Sequence, residues 1–285
     1  MIRFGPSGNS QSFYEAGNKT SVQAPAWLKT IGLTAYEYSF GRGYTMSQAT
    51  AENIGFEAEK NNILVSIHAP YYINLANPDE TMKEKSFGYI LKGLDLLKAM
   101  KGKHLVFHVA SQGKHTRQSA LTLASKRLKE LLQRLDFDGK HKGLFLCPET
   151  MGKPLQIGTY EEIIDLCTLD EHLVPTFDFG HINCLMGGEL KCKEDYLKIF
   201  DYCQKKLGFE RTKHCHIHFS KIEFGAKGEI RHLNYDDMIY GPDFHPLAEV
   251  ISQLGLQPTI ICESKTHMAE DALVLKNIYE KTAKP

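Results

Sequence analysis

Short apolar runs that end on a histidine or a carboxylate recur along this chain, each followed by a polar loop and then a stretch with helical spacing. One of the clearest is Leu173-Val174-Pro175-Thr176-Phe177-Asp178, after which Gly180 is expected to turn the chain and His181 to follow in a loop. A run of this length bounded by turn signals predicts a buried strand. Further strands are predicted at Ile2–Gly5, Thr34–Phe40, Ile63–His68, Leu105–His108, Gly143–Glu149, His214–Phe219 and Pro258–Glu263. Helices are predicted between them, for example over Thr81–Met100, where Phe87, Ile90, Leu94 and Leu97 recur at helical spacing. Thr159 with Glu162 reads as a capping box opening a short helix to about Leu169. Residues 220–245 read as a long polar loop. Eight strands alternating with helices predict an α/β chain folded as one (β/α)8 TIM barrel over residues 1–285. A doubly wound open sheet competes, but no glycine-rich phosphate fingerprint follows the first strand.

Composition narrows the function. The formal net charge is zero, so binding to nucleic acid or an anionic membrane would need a local patch. No apolar run approaches the roughly 18–20 residues needed to cross a bilayer, and Met1-Ile2-Arg3-Phe4-Gly5-Pro6 lacks a signal peptide's apolar core. The seven cysteines include no C-x-x-C pair, which argues against a disulfide framework and against a thiolate zinc site. A reducing cytoplasm is the expected compartment. Cys147, Cys215 and Cys262 fall in predicted strands and read as core residues.

The chemistry lies in the histidines and carboxylates. His68, His108, Glu149, Asp178, His216 and Glu263 each stand at or near the carboxyl end of a predicted strand. In a barrel those ends converge on one mouth, where active sites are built. Each residue alone reads as a hydrogen-bonded structural histidine or half of a buried ion pair. Together in a partly buried mouth, the carboxylates would repel one another and be costly to desolvate. Divalent metal resolves this, and mixed imidazole and carboxylate ligands suit Zn²⁺, with Mn²⁺ or Fe²⁺ as alternatives. Six ligands exceed what one catalytic zinc needs, so two metals sharing a carboxylate fit better.

From the third strand on, the residues resemble the endonuclease IV family of zinc-dependent apurinic/apyrimidinic endonucleases, among the xylose-isomerase-like barrels. The resemblance rests on Ser66-Ile67-His68-Ala69-Pro70-Tyr71, Phe107-His108-Val109-Ala110-Ser111, Glu149-Thr150 before Gly152, Asp178 with His181, His216-Ile217-His218-Phe219-Ser220-Lys221 and Cys262-Glu263-Ser264. It implies that His68, His108 and Glu149 hold one zinc, and that Glu149 bridges to a second held by Asp178, His216 and Glu263. It further implies a third zinc on His181 and His232, with an aspartate two residues before His232. Ile230 stands there instead, and Glu229 or His218 are the candidate replacements.

The activity implied is hydrolysis of DNA 5′ to abasic sites in base excision repair, by a monomer, with Glu149 or Glu263 orienting the attacking water or taking its proton. The amino-terminal loops depart from the family's pattern, with Gly5-Pro6-Ser7-Gly8-Asn9 and Phe40-Gly41-Arg42-Gly43-Tyr44 in their place. Arg42, Tyr44, Tyr71 and Lys221 are the candidate DNA contacts. The main rival is a metal-dependent sugar or sugar-phosphate isomerase or epimerase, with one metal on Glu149, Asp178, His216 and Glu263. A non-catalytic barrel that binds nucleic acid is the third class.

Overall fold

A computed structural model describes residues 1–283. Eight parallel strands run in chain order: β1 (Arg3–Pro6), β2 (Ala35–Ser39), β3 (Leu64–His68), β4 (His104–Phe107), β5 (Phe145–Pro148), β6 (Thr176–Asp178), β7 (His216–Phe219) and β8 (Thr259–Cys262). β2-β3-β4-β5 form one hydrogen-bonded run and β6-β7-β8-β1 the other. Parallel bridges join the two runs at both seams, Ser7 with Glu37 on one side and Leu146 with Leu173 and Glu149 with Thr176 on the other. The result is the expected (β/α)8 barrel, with long helices such as Gln48–Asn61, Glu80–Ala99 and Lys193–Leu207 around it.

Side chains alternate faces along a strand, and each face here has its own composition. Outward residues such as Ile67, Leu105, Leu146, Phe177, Ile217 and Ile260 belong to one large core shared with the helices. Full burial of each such side chain contributes about 1.5–3 kcal/mol. Inside the barrel the apolar cluster is small: Val106, Cys147 and Val174, with Phe145 against them. Much of the remaining interior is polar.

The predicted capping box is present: Thr159 Oγ1 accepts from the Glu162 amide and Glu162 Oε2 from the Thr159 amide, at 3.3 and 3.0 Å. Two regions differ from expectation. The chain after Asp178 is not a loop but the helix Phe179–Leu185, capped by Asp178 Oδ1 accepting from the His181 amide at 2.8 Å. Gly180 therefore does not turn the chain. It is needed because a Cβ there would lie 2.6 Å from the Ser220 carbonyl oxygen. The expected long polar loop contains an antiparallel hairpin, Lys221–Gly225 with Gly228–Leu233.

Candidate metal centre

Three sets of side chains at the mouth could each hold a metal ion. In the first, His68 Nε2 and His108 Nε2 both lie 3.0 Å from Glu149 Oε2. In the second, the other oxygen of the same carboxylate, Glu149 Oε1, is 2.8 Å from His218 Nδ1, with Glu263 Oε2 3.3 Å from that nitrogen and Asp178 alongside. Glu149 is thus shared, one oxygen to each set. In the third, Glu229 Oε2 is 3.4 Å from His181 Nε2 and Glu229 Oε1 is 3.7 Å from His232 Nε2. Residues of all three sets line a cavity of about 380 Å³, rimmed by Gly41 and Tyr71.

The donor atoms suit metal. His68 Nδ1 faces the Ala69 carbonyl at 2.8 Å, His181 Nδ1 the Thr150 carbonyl at 2.9 Å, and His232 Nδ1 the Ser220 hydroxyl at 2.8 Å. Each contact fixes the ring and leaves Nε2 turned to its set, the arrangement found around metal-ligating imidazoles. Asp178 Oδ2 is buried and accepts no hydrogen bond among the described residues, its nearest charged partner being His181 Nδ1 at 3.4 Å. A buried carboxylate oxygen without a hydrogen bond is costly unless a cation meets it. The residues present therefore fit divalent metal.

The third set depends on a bulge. Along a regular strand, residues three apart face opposite sides, so Glu229 and His232 should not converge. In the hairpin, Arg231 pairs with Glu223 but Glu229 pairs with Phe224, which leaves Ile230 as an extra residue. Such a bulge locally resets the alternation. Glu229 and His232 then share a face, while Ile230 is 59% exposed. Gly152 makes room for this arrangement. A Cβ on it would lie 2.7 Å from His181 Cδ2, and its carbonyl accepts from the Glu229 amide at 2.9 Å.

His216 does not stand where the resemblance puts it. Residues two apart on a strand share a face, and His218 is the one nearer the mouth; it joins Glu149, Asp178 and Glu263. His216 lies one layer deeper, with Nε2 3.0 Å from Glu37 Oε2 and Nδ1 3.2 Å from His104 Nδ1. Tyr44 also differs from expectation: its ring packs on Phe40 at 4.8 Å and its hydroxyl is buried, so it offers no face to the mouth. Lys221 is held by the Asp237 carbonyl and sits 4.9 Å from the Tyr235 ring centroid, which ties it to its own loop. Arg42 is exposed, and Tyr71 is half-exposed at the rim.

Sequence reasoning missed Glu37, His104 and Tyr72. Glu37 was findable, because Tyr36 and Tyr38 on β2, and Phe40 just past it, alternate with Ala35, Glu37 and Ser39, and so the carboxylate had to face the other way. Tyr72 packs beside Tyr71 with ring centroids 4.9 Å apart, a second aromatic face at the rim.

Charge follows the same grouping. Burial acts against ionisation of Glu149, but His218 and His68 outweigh it and hold the carboxyl well below the usual range. Glu263 and Glu229 are held at about 2 in spite of burial, Glu263 chiefly by His218 and Glu229 by His181. Burial opposes protonation of His68 and His181 too, yet Glu149 pushes the first up to about 9 and Asp178 pushes the second up to about 10. Burial pushes Asp178 up, with His181 pulling the other way. Protons thus occupy, in the metal-free protein, the places where cations would bind.

Fold and site together define a (β/α)8 barrel whose mouth carries three His and carboxylate sets that could each hold a metal ion. The chain belongs to the xylose isomerase-like TIM barrel family, whose model matches residues 25–278. It is 30% identical over 281 residues to an uncharacterised protein of Methanocaldococcus jannaschii, covering 99% of this chain and 98% of that one. It is 29% identical over 257 residues to a probable endonuclease 4 of Listeria monocytogenes, covering 82% of each chain. Among solved structures, endonuclease IV from Thermus thermophilus superposes with a TM-score of 0.69 at 21% identity, over 98% of this chain and 99% of that one. D-Psicose 3-epimerase from Clostridium cellulolyticum reaches the same TM-score, 0.69, at 11% identity over 100% of both chains. No helix among the described residues is long and apolar enough to cross a membrane.

Proposed function

We propose that the chain is a metal-dependent phosphodiesterase that hydrolyses DNA on the 5′ side of abasic sites. The observation that carries this reading is the contiguity of the three sets, two of them joined through Glu149 and the third held beside them by the hairpin. Several adjoining ions suit displacement at phosphorus, where both the attacking and the leaving oxygen need stabilising. His68, His108 and Glu149 would hold one ion, Glu149, Asp178, His218 and Glu263 a second, and His181, Glu229 and His232 a third. When bound, zinc or a similar divalent ion acidifies water and offsets the charge that develops on phosphoryl oxygens. Glu263, 15% exposed, would orient that water and accept its proton.

The rim supplies the grip. Tyr71 and Tyr72 are 50% and 48% exposed and offer stacking faces to an unstacked base or sugar. Arg42, exposed after β2, would meet a backbone phosphate. An abasic nucleotide has no base partner to lose, so turning it into the cavity costs little. The relatives named probable endonuclease 4 support an endonuclease reading.

A sugar epimerase is the second reading. The set Glu149, Asp178, His218 and Glu263 could by itself hold the single ion such chemistry uses, and the barrel is similar to that of D-psicose 3-epimerase. That reading leaves the first and third sets without a task. Purified, metal-loaded protein incubated with a duplex carrying one tetrahydrofuran abasic analogue is expected to cut that strand once, 5′ to the lesion. Absence of cleavage with all ions bound would contradict the proposal, and interconversion of ketohexoses would favour the second reading.

A further inference from the structure

Beneath the mouth, the barrel interior carries a polar group where such barrels ordinarily pack branched apolar side chains. Its centre is Glu37 on β2, fully buried. Ser66 Oγ donates to Glu37 Oε2 at 2.7 Å, and His216 Nε2 approaches the same oxygen at 3.0 Å. His218 Nε2 lies 2.9 Å from Glu37 Oε1, off the axis of an ideal hydrogen bond. β2 and β7 are not neighbours, so these contacts cross the interior. His104 Nδ1 completes the group, 3.2 Å from His216 Nδ1.

His218 therefore has two different ends. Its Nδ1 faces Glu149 and Glu263 on the metal-competent side, and its Nε2 faces Glu37. A neutral imidazole carries one N–H and one lone pair. A fixed carboxylate under Nε2 holds the hydrogen there and so presents the lone pair on Nδ1. We propose that Glu37 is a positioning residue for the metal centre, fixing the tautomer and ring plane of His218, with Ser66 and His216 holding Glu37 in turn. The proposal rests on the metal-centre part of the reading above and not on its DNA substrate.

Glu37, His216 and His218 could also be viewed as ligands of a further ion. The pairing of donors with acceptors favours positioning. The hydroxyl of Ser66 and Nε2–H of His216 donate to Glu37 Oε2, His218 Nε2 meets Glu37 Oε1 as an ion-pair contact at 2.9 Å, and His104 Nδ1–H can donate to the lone pair of His216 Nδ1. An ion on His218 Nε2, with another on Nδ1, would require the ring to lose both of its nitrogen-bound hydrogens.

The test compares the parent chain with Glu37→Ala, Glu37→Gln and Ser66→Ala, each checked for folding by thermal melting. Ions per chain are counted by native mass spectrometry, affinities are taken from chelator competition, and the Co²⁺-substituted forms are compared by visible absorption. Glu37→Ala is expected to weaken one ion by about 10–100-fold, to shift the Co²⁺ spectrum, and to leave the ion on His181, Glu229 and His232 in place. Glu37→Gln, whose amide oxygen can still accept from Nε2–H, is expected to recover part of the loss, and Ser66→Ala to lose least. Should Glu37→Ala fail to fold, the graded effects of the other two decide. Parent-like affinity and spectra in all folded variants would overturn the proposal alone, as would a further ion in the parent that Glu37→Ala releases. A parent chain that binds no metal would instead overturn the metal-centre reading, and this proposal with it.

Discussion

Glu149, Asp178 and His218 stand on or just past barrel strands, whereas Glu229 and His232 hang from a hairpin beyond the barrel. The strand-borne groups are aimed by alternation alone, because neighbouring strands in register deliver every second residue to the same interior. The hairpin-borne pair converges only because one residue is bulged out of the ladder at Ile230 and because Gly152 lets the hairpin and His181 come close. The first kind of site follows from the fold. The second is an added device, and it should be separable from the first.

The largest effect is expected at the carboxylate that joins two sets. Glu149→Gln should displace the ions of both strand-borne sets and lower cleavage on the order of 10³-fold, the upper range for loss of a group that stabilises transition-state charge, while the hairpin ion stays bound. Elemental analysis beside a single-turnover assay reads both. Glu229→Ala should do the reverse, with one ion lost, the other two retained, and cleavage down on the order of 10²-fold. Adding Ile230→Asp to Glu229→Ala should not bring the ion back, because position 230 points outward; recovery would show that the bulge does not aim these residues.

Acidity distinguishes metal-free from metal-loaded protein. His68 and His181 hold protons up to about 9 and about 10, against an ordinary 6.5, so their contribution to metal-free stability is fully present below about 6.5 and is lost as pH rises through 9 to 10. Melting temperature of the metal-free form should therefore fall across that window, while metal affinity rises as the competing protons leave. A flat profile for both would contradict the charge grouping. The smallest effect is expected from Gly152→Ala, which forces a methyl against His181 and should cost about 1–3 kcal/mol, measured by denaturant unfolding, with the hairpin ion weakened most.

The barrel was legible because each strand is a short apolar run with a polar end, and the helices between them carry clear periodicity. His68, His108, Glu149, Asp178 and Glu263 were legible for the same reason. The exchange of His216 for His218 was not, since both share one face and only depth in the barrel separates them. Ile230 looked like a lost ligand because linear spacing carries no record of a bulge. Glu37 was readable from the alternation of β2, but an isolated carboxylate among tyrosines carries no motif, and its partners come from strands distant in sequence.

The proposed mouth holds three adjoining ions, two of them sharing Glu149. Diffraction from metal-loaded crystals, collected on both sides of the zinc absorption edge, tests this arrangement most directly. Three anomalous peaks are expected, one at each set, with Glu149 between two of them. A single peak at Glu149, Asp178, His218 and Glu263 would contradict it.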